Sequence, residues 1–228
     1  MNTQLSQSEE NYLKSIFNLL DENNLAKNSK VSTNLIAKDL QTKASSVTEM
    51  IKKLSDKDLV LFEKYKGCSL TSIGENKAIQ IIRKHRLWET FLVEKLGFNW
   101  TEVHDIAEQL EHIKSPILTN KLSEFLNHPK FDPHGDPIPD KNGIFPKHDS
   151  IGKLTNLLVN QNSVVVKIGS DNTDLLSYLS KHNIGIHTQI KCLEKNEFDD
   201  SMTIEIDGQQ SINLSKKVVK NIYIKILK

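Results

Sequence analysis

Cysteine is almost missing from this 228-residue chain: Cys68 and Cys192 are the only two, far apart in sequence. That leaves no CxxC zinc pattern and no disulfide framework, which fits a reducing compartment. Long hydrophobic runs are missing as well. No apolar stretch is long enough to span a bilayer, and the polar start MNTQLSQSEENYLKS has no signal-peptide core, so the cytoplasm is the expected location, with no membrane partner. An excess of charge of either sign is also absent. With a net charge of +1, no bulk positive field advertises nucleic acid, and any DNA contact has to come from a local patch. Proline is withheld from the first half of the chain: all six lie between Pro116 and Pro146.

What is present fits two domains with a sizeable core. HPKFDPHGDPIPDKNGIFP carries five of the prolines and two glycines, so it cannot be a regular helix or a central strand. It reads as a linker over 128–149, with Phe131, Ile138 and Phe145 able to pack. Before it the apolar period is helical. Leu13, Ile16, Phe17 and Leu20 mark a first helix with Ser6 or Ser8 as N-cap. A short helix follows with Leu35, Ile36 and Leu40 inward, then another with Val47, Met50, Ile51 and Leu54 inward. LVLFEKYKGCSLT alternates about Lys66-Gly67 and reads as a hairpin. A long helix is expected over about 72–96, another over about 101–113 capped by Thr101, and one over LTNKLSEFL. After the linker the period shifts to two, in VVVKI, QIKCLE, MTIEID, QSINLS and NIYIKIL, with the helix TDLLSYLSKH among them.

Two short helices, a tight turn and a hairpin make a winged helix-turn-helix. Its second helix would present Lys43, Ser45, Ser46, Thr48, Glu49, Lys52 and Lys53 to the major groove, and the wing would present Lys64 and Lys66 beside Tyr65. Small hydroxyls allow close approach, lysines suit phosphate, and Glu49 suits a cytosine amine. The competing reading is an ordinary helical pair with a solvated basic face.

The stretch VHDIAEQLEH sets His104, Glu108, Glu111 and His112 at i, i+4, i+7 and i+8. At roughly 100° per residue these fall within an arc of about 100° on one helix. His85 and Glu89 form a second i, i+4 pair on the long helix. Imidazole with carboxylate is a ligand set for divalent transition metals. The residues divide into His85, Glu89 and His104 at one end and Glu108, Glu111 and His112 at the other. No HExxH occurs, which argues against a zincin-type hydrolase, and the paired ExxH of di-iron bundles is missing. Any single helical histidine is more often surface or core than ligand.

Taken together, SSVTEMIKKLSDKDLVLFEKYKGCSLTSIG, KHRLWETFL, VHDIAEQLEH, HGDPIP and VVVKIGSDNTDLLSYLSKHNI resemble the diphtheria-toxin-repressor family of metal-dependent transcriptional regulators. The DNA-binding part is most similar to the manganese-sensing branch, and the resemblance covers essentially the whole chain. It implies a mainly α N-terminal part, with a winged helix-turn-helix over 1–71 and a helical metal-binding and dimerisation domain over 72–127. After the linker it implies a small β-rich SH3-like (FeoA-like) domain over 150–228. It further implies a non-enzymatic homodimer that takes a divalent metal, Mn2+ first or Fe2+, as corepressor at up to two sites per subunit. The loaded dimer would bind an inverted-repeat operator and silence metal-uptake genes. Carried over, the regulatory site is Glu108, Glu111 and His112 with Asn11 from the first helix. The ancillary site is His85, Glu89 and His104, completed by Asp171, Asn172 or Asp174.

Two departures matter. Iron-type members carry Met and Cys at the positions of Asn11 and Glu108, and manganese-type members carry Asp and Glu; this chain has Asn and Glu. Losing sulfur favours a harder metal. Lys14 stands where the compact manganese regulators place a metal-binding Glu, which disfavours a tight binuclear cluster. The alternatives are a winged-helix regulator sensing another ligand, or a metal-dependent hydrolase with Glu108 or Glu111 as base.

Overall fold

The computed structural model describes residues 4–22, 29–147, 151–170 and 172–227. The chain forms two compact units. The first comprises Met1–His85, Leu110–Lys114 and Pro139–Ile144; the second comprises Arg86–Gln109, Ser115–Ile138 and Phe145–Lys228.

In the first unit, α1 (Gln7–Glu22) begins with a capping box. Ser6 Oγ accepts from Glu9 N at 3.2 Å, and the Glu9 carboxylate accepts from Ser6 N at 2.9 Å, which satisfies two otherwise orphaned helix donors. Ser32 caps α2 (Thr33–Asp39), and a turn through Gln41 leads into α3 (Ala44–Ser55). Leu13, Ile16, Ile36, Val47, Ile51 and Leu54 close a core between these helices. Leu35 is not part of it, being 47% exposed. On a helix of seven residues its neighbour Ile36 takes the inward direction, and one step is about 100° away.

β1 (Val60–Glu63) pairs antiparallel with β2 (Gly67–Leu70), Glu63 opposite Gly67, so the tip is Lys64–Lys66, slightly earlier than the sequence reading placed it. Gly67 has φ +103°, and a Cβ there would sit 2.2 Å from the Val31 carbonyl oxygen. That closeness lets Val31 and Cys68 exchange backbone hydrogen bonds of 2.8 and 2.9 Å, fastening the wing to the entry of α2. The Cys68 thiol is buried in the same core, and burial pushes it up to about 12.

The long helix α4 (Ser72–Leu96) matches the expected span. α5 (Val103–Leu110) is shorter than expected at both ends. Thr101 is not its cap. Asn99 Oδ1 instead accepts from both Thr101 N and Thr101 Oγ1 at 3.0 Å, drawing that turn outside the helix. α6 (Pro116–Phe125) opens with Ser115 as N-cap and Pro116 in the first turn, where a missing N–H costs nothing. Leu87, Leu122, Leu126 and Ile138 form a small helical core.

The C-terminal part is a six-stranded antiparallel sheet in the order β3-β8-β4-β5-β6-β7. Its strands are β3 (Ile151–Lys153), β4 (Asn162–Ile168), β5 (Gln189–Lys195), β6 (Met202–Ile206), β7 (Gln210–Leu214) and β8 (Ile222–Ile226). Two helices accompany them, α7 (Thr173–Lys181) and the single turn α8 (Lys216–Val219). Val165, Ile168, Leu176, Leu179, Ile190, Ile204 and Ile224 are in its core. β3 and α8 had no counterpart in the sequence reading.

The Pro-rich segment packs against this sheet. His134 O accepts from Ile168 N at 2.9 Å, and Lys167 Nζ lies 2.6 Å from Asp136. Gly135, at φ +87°, approaches β4 so closely that a Cβ would meet Val166 O at 2.1 Å. Trp100, in the loop before α5, packs on the sheet's core and donates its indole N–H to Ser180 Oγ at 2.7 Å.

Candidate metal centre

Within the first unit, α1, α4 and the turn after α5 bring together Glu10, Lys14, His85, Glu111 and His112. Because α5 ends at Leu110, Glu111 and His112 lie in the following turn, so the four candidate ligands His104, Glu108, Glu111 and His112 do not share one helical stripe. Glu111 is wholly buried. Its Oε2 accepts from His85 Nδ1 at 2.6 Å and from Lys14 Nζ at 2.8 Å. Burial pushes the Glu111 carboxyl up, but His85 and Lys14 outweigh it and hold it below the usual carboxylate range. His112 Nδ1 lies 2.5 Å from Glu10 Oε2. His85 therefore meets Glu111, which blurs the division of ligands by helix end. Glu10 was missed in the sequence because it pairs with no ligand on its own helix.

Two buried oxygens, Asn11 Oδ1 on α1 and Glu111 Oε1 in the turn after α5, have no hydrogen-bond partner among the described residues. Such atoms cost roughly 1–3 kcal/mol each. Together with imidazole nitrogens and a second carboxylate, they fit a hard or borderline divalent ion, and the two cysteines lie buried in hydrophobic cores.

The second unit holds another group. Glu89, Asp132 and His134 are all buried, with one ligand atom each within 4.8 Å of the others. His134 Nδ1 is 3.6 Å from Glu89, His104 Nδ1 is 3.5 Å from Glu89, and His104 Nε2 is 3.7 Å from Glu108. Asp132 Oδ1 also accepts from the backbone N–H groups of His134 and Asp136 at 2.9 Å. Burial first, then the charges of Asp136 and Glu89, push the Asp132 carboxyl up to about 8. Asp132 and His134 escaped the sequence reading because they sit in the Pro-rich segment, whose composition signals only a connection. Asp171 lies outside the described residues. Asp174 is exposed in the first turn of α7, and Asn172 caps that helix through Leu175 N.

Of the residues expected at DNA, Lys43 at the N-cap of α3 and Ser45, Ser46, Glu49, Lys52 and Lys53 on the helix are exposed, and Thr48 is half-buried with its hydroxyl on Ala44 O. Lys53 is also 3.2 Å from Glu9, which Lys57 contacts at 2.6 Å. At the wing, Lys66 pairs with Glu63, and Lys64 lies 5.0 Å from the Tyr65 ring centroid. A groove of about 680 Å³ runs beside α3, with Asn11, Ser46, Glu49 and Lys53 among its lining residues. α1 therefore reaches α3 through Glu9, while Glu10 and Lys14 face His112 and Glu111.

Three family models match in chain order. Residues 4–68 match the N-terminal DNA binding domain of the iron dependent repressors. Residues 71–140 match their metal binding and dimerisation domain, and residues 152–226 match the FeoA domain. The iron-dependent repressor IdeR of Mycobacterium tuberculosis is 32% identical over 136 residues, covering 60% of this chain and 57% of that protein. The HTH-type transcriptional regulator MntR of Oceanobacillus iheyensis is 36% identical over 126 residues, 55% of this chain and 81% of that protein. A solved manganese-dependent transcriptional repressor in complex with manganese superposes with a TM-score of 0.85 at 32% identity, covering 96% of this chain and 100% of that one. The match to the iron-dependent repressors spans little more than half of their length, 57% for the mycobacterial protein.

Proposed function

Because the chain belongs to the diphtheria-toxin-repressor family of metal-dependent transcriptional regulators, we propose that it is a DNA-binding repressor with a divalent metal, manganese before iron, as corepressor. The observation that carries the reading is α1: Glu9 holds lysines of α3 and of the turn after it, while Lys14 meets Glu111, Glu10 meets His112, and the buried Asn11 Oδ1 between them in sequence has no hydrogen-bond partner among the described residues. Asn11, Glu111 and His112, with Glu10 or His85 adjacent, would hold the ion. Glu89, His104, Asp132 and His134 would hold a second. A bound ion supplies two positive charges and fixed directions for oxygen and imidazole donors.

The chain's residues do the rest. Glu111 and His112 draw α1 against the turn after α5, and Glu9 passes that position to α3. The gain in DNA affinity can be no larger than the metal's differential affinity for the ordered arrangement over the loose one. Lys43, Ser45, Ser46, Thr48, Glu49 and Lys52 would read or position the major groove, with Lys64 and Lys66 on phosphate. Half-site spacing would follow from a homodimer on an inverted repeat, and metal-uptake genes are the expected targets. Among the described residues no helix is long and apolar enough to cross a membrane.

Anisotropy titration of the protein's own upstream region, at fixed salt with manganese, iron(II), zinc or chelator, tests the proposal. Glu111→Ala and His112→Ala should abolish the metal-dependent gain, and Lys52→Ala should lower the salt slope by about one. Operator affinity indifferent to chelator and to both alanine substitutions would sink it.

A further inference from the structure

We propose that Lys14 is a built-in counter-ion that occupies Glu111 in the metal-free protein and thereby sets how tightly the site takes a divalent ion. The inference rests on the metal-site reading above and assigns a role to a residue that cannot itself be a ligand while it is charged. Lys14 is on α1 one turn after Glu10 and donates to Glu111 Oε2 at 2.8 Å. The pair is sequestered, with side-chain exposures of 12% and 0%. His85 Nδ1 reaches the same oxygen, so Oε2 is doubly engaged while Oε1 is left without a hydrogen bond.

The surrounding charge sharpens the argument. Lys84 faces Glu10, Glu111, Lys14 and Lys114, and Lys114 itself donates to the Leu5 carbonyl at the entry of α1. Two ammonium groups, Lys14 and Lys84, thus attend the carboxylates Glu10 and Glu111, with the Lys114 ammonium close to Lys84. A divalent ion arriving at Glu111 adds two positive charges beside an ammonium that already neutralises the carboxylate. In a buried setting of low effective dielectric that repulsion is weakly screened. Occupancy then requires either displacement of Lys14 from Oε2 or toleration of it, and both weaken binding. The same contact gives α1 a tether to the turn after α5 without metal. Lys14 therefore narrows the difference between metal-free and metal-loaded states from both sides.

The test compares the full chain with Lys14→Met, which keeps the apolar stem, and Lys14→Arg, which keeps the charge. Manganese(II) chloride is titrated calorimetrically without DNA, and hydrogen exchange of α1 is followed in chelator. Lys14→Met should bind manganese about tenfold or more tightly and α1 should exchange faster in chelator, while Lys14→Arg should stay within about threefold of the native chain. If Lys14→Met folds normally but its manganese affinity is unchanged or lower, the proposal is overturned and the metal-site reading survives. Should neither native chain nor Lys14→Met take up manganese, both fall. Uptake by Lys14→Met alone would support the counter-ion role in its strongest form.

Discussion

Glu9 shows how one side chain can serve two purposes. It completes the capping box of α1 and receives Lys57 and Lys53. Burial alone would raise its carboxyl, but Lys57, the Ser6 N–H and Lys53 outweigh that and hold it at about 2, against 4.5 unperturbed. A folded-state value below the unfolded one means stabilisation that is complete above pH 4.5 and lost as pH falls through 2. Solvent reaches both lysine partners and screens them, so the contribution is of the order of 1 kcal/mol. Urea unfolding at pH 7, 4 and 3 should show the native chain losing stability along this limb, and Glu9→Gln should be weaker at pH 7 with a flatter dependence. At this scale the sequence exposed residue types but not partners. Ser6 was legible as one of two candidate N-caps, without its partner Glu9, and His104, Glu108, Glu111 and His112 were legible as donors. Glu10 opposite His112, and Lys14 on Glu111, depend on a fold that brings together positions about a hundred residues apart, which no local spacing encodes.

Elements follow the same logic. α4 was legible from end to end because 25 residues without proline keep a helical period. The limits of α5 were not, since Asn99 forms a side-chain turn that competes with the helix start. β3 is three residues long with its outer side chains exposed, and it exists only because β8 arrives beside it some seventy residues later. The Trp100 loop is the element with the clearest energetic signature. Its indole joins Ser180, while its backbone carbonyl oxygen lies 2.9 Å from His134 Nε2. Trp100→Phe and Ser180→Ala should each cost about 1 kcal/mol, read as a lower melting temperature. The double substitution should cost less than the sum, because both singles remove one hydrogen bond.

At the scale of the molecule, the second unit leaves apolar side chains uncovered on its helices. Phe125 is 63% exposed, and Trp88, Phe91, Leu118 and Leu122 line a groove of about 660 Å³ beside it. This surface lies within the stretch that matches a metal binding and dimerisation domain. Phe125→Asp should shift sedimentation toward monomer and lower operator affinity, since each half-site would then be bound alone. A native chain that sediments as a monomer at micromolar concentration would contradict the expected dimer.

The docked glycine at position 135 bears on how this chain can vary. Composition marks the Pro-rich segment as the place where insertions and deletions should be harmless. Its fit to β4 says otherwise, because His134 to Ile168 and Asp136 to Lys167 fix a register on either side of a residue that admits no side chain. One extra residue there would shift every later contact by a step, so length in this segment should be held as strictly as in a strand.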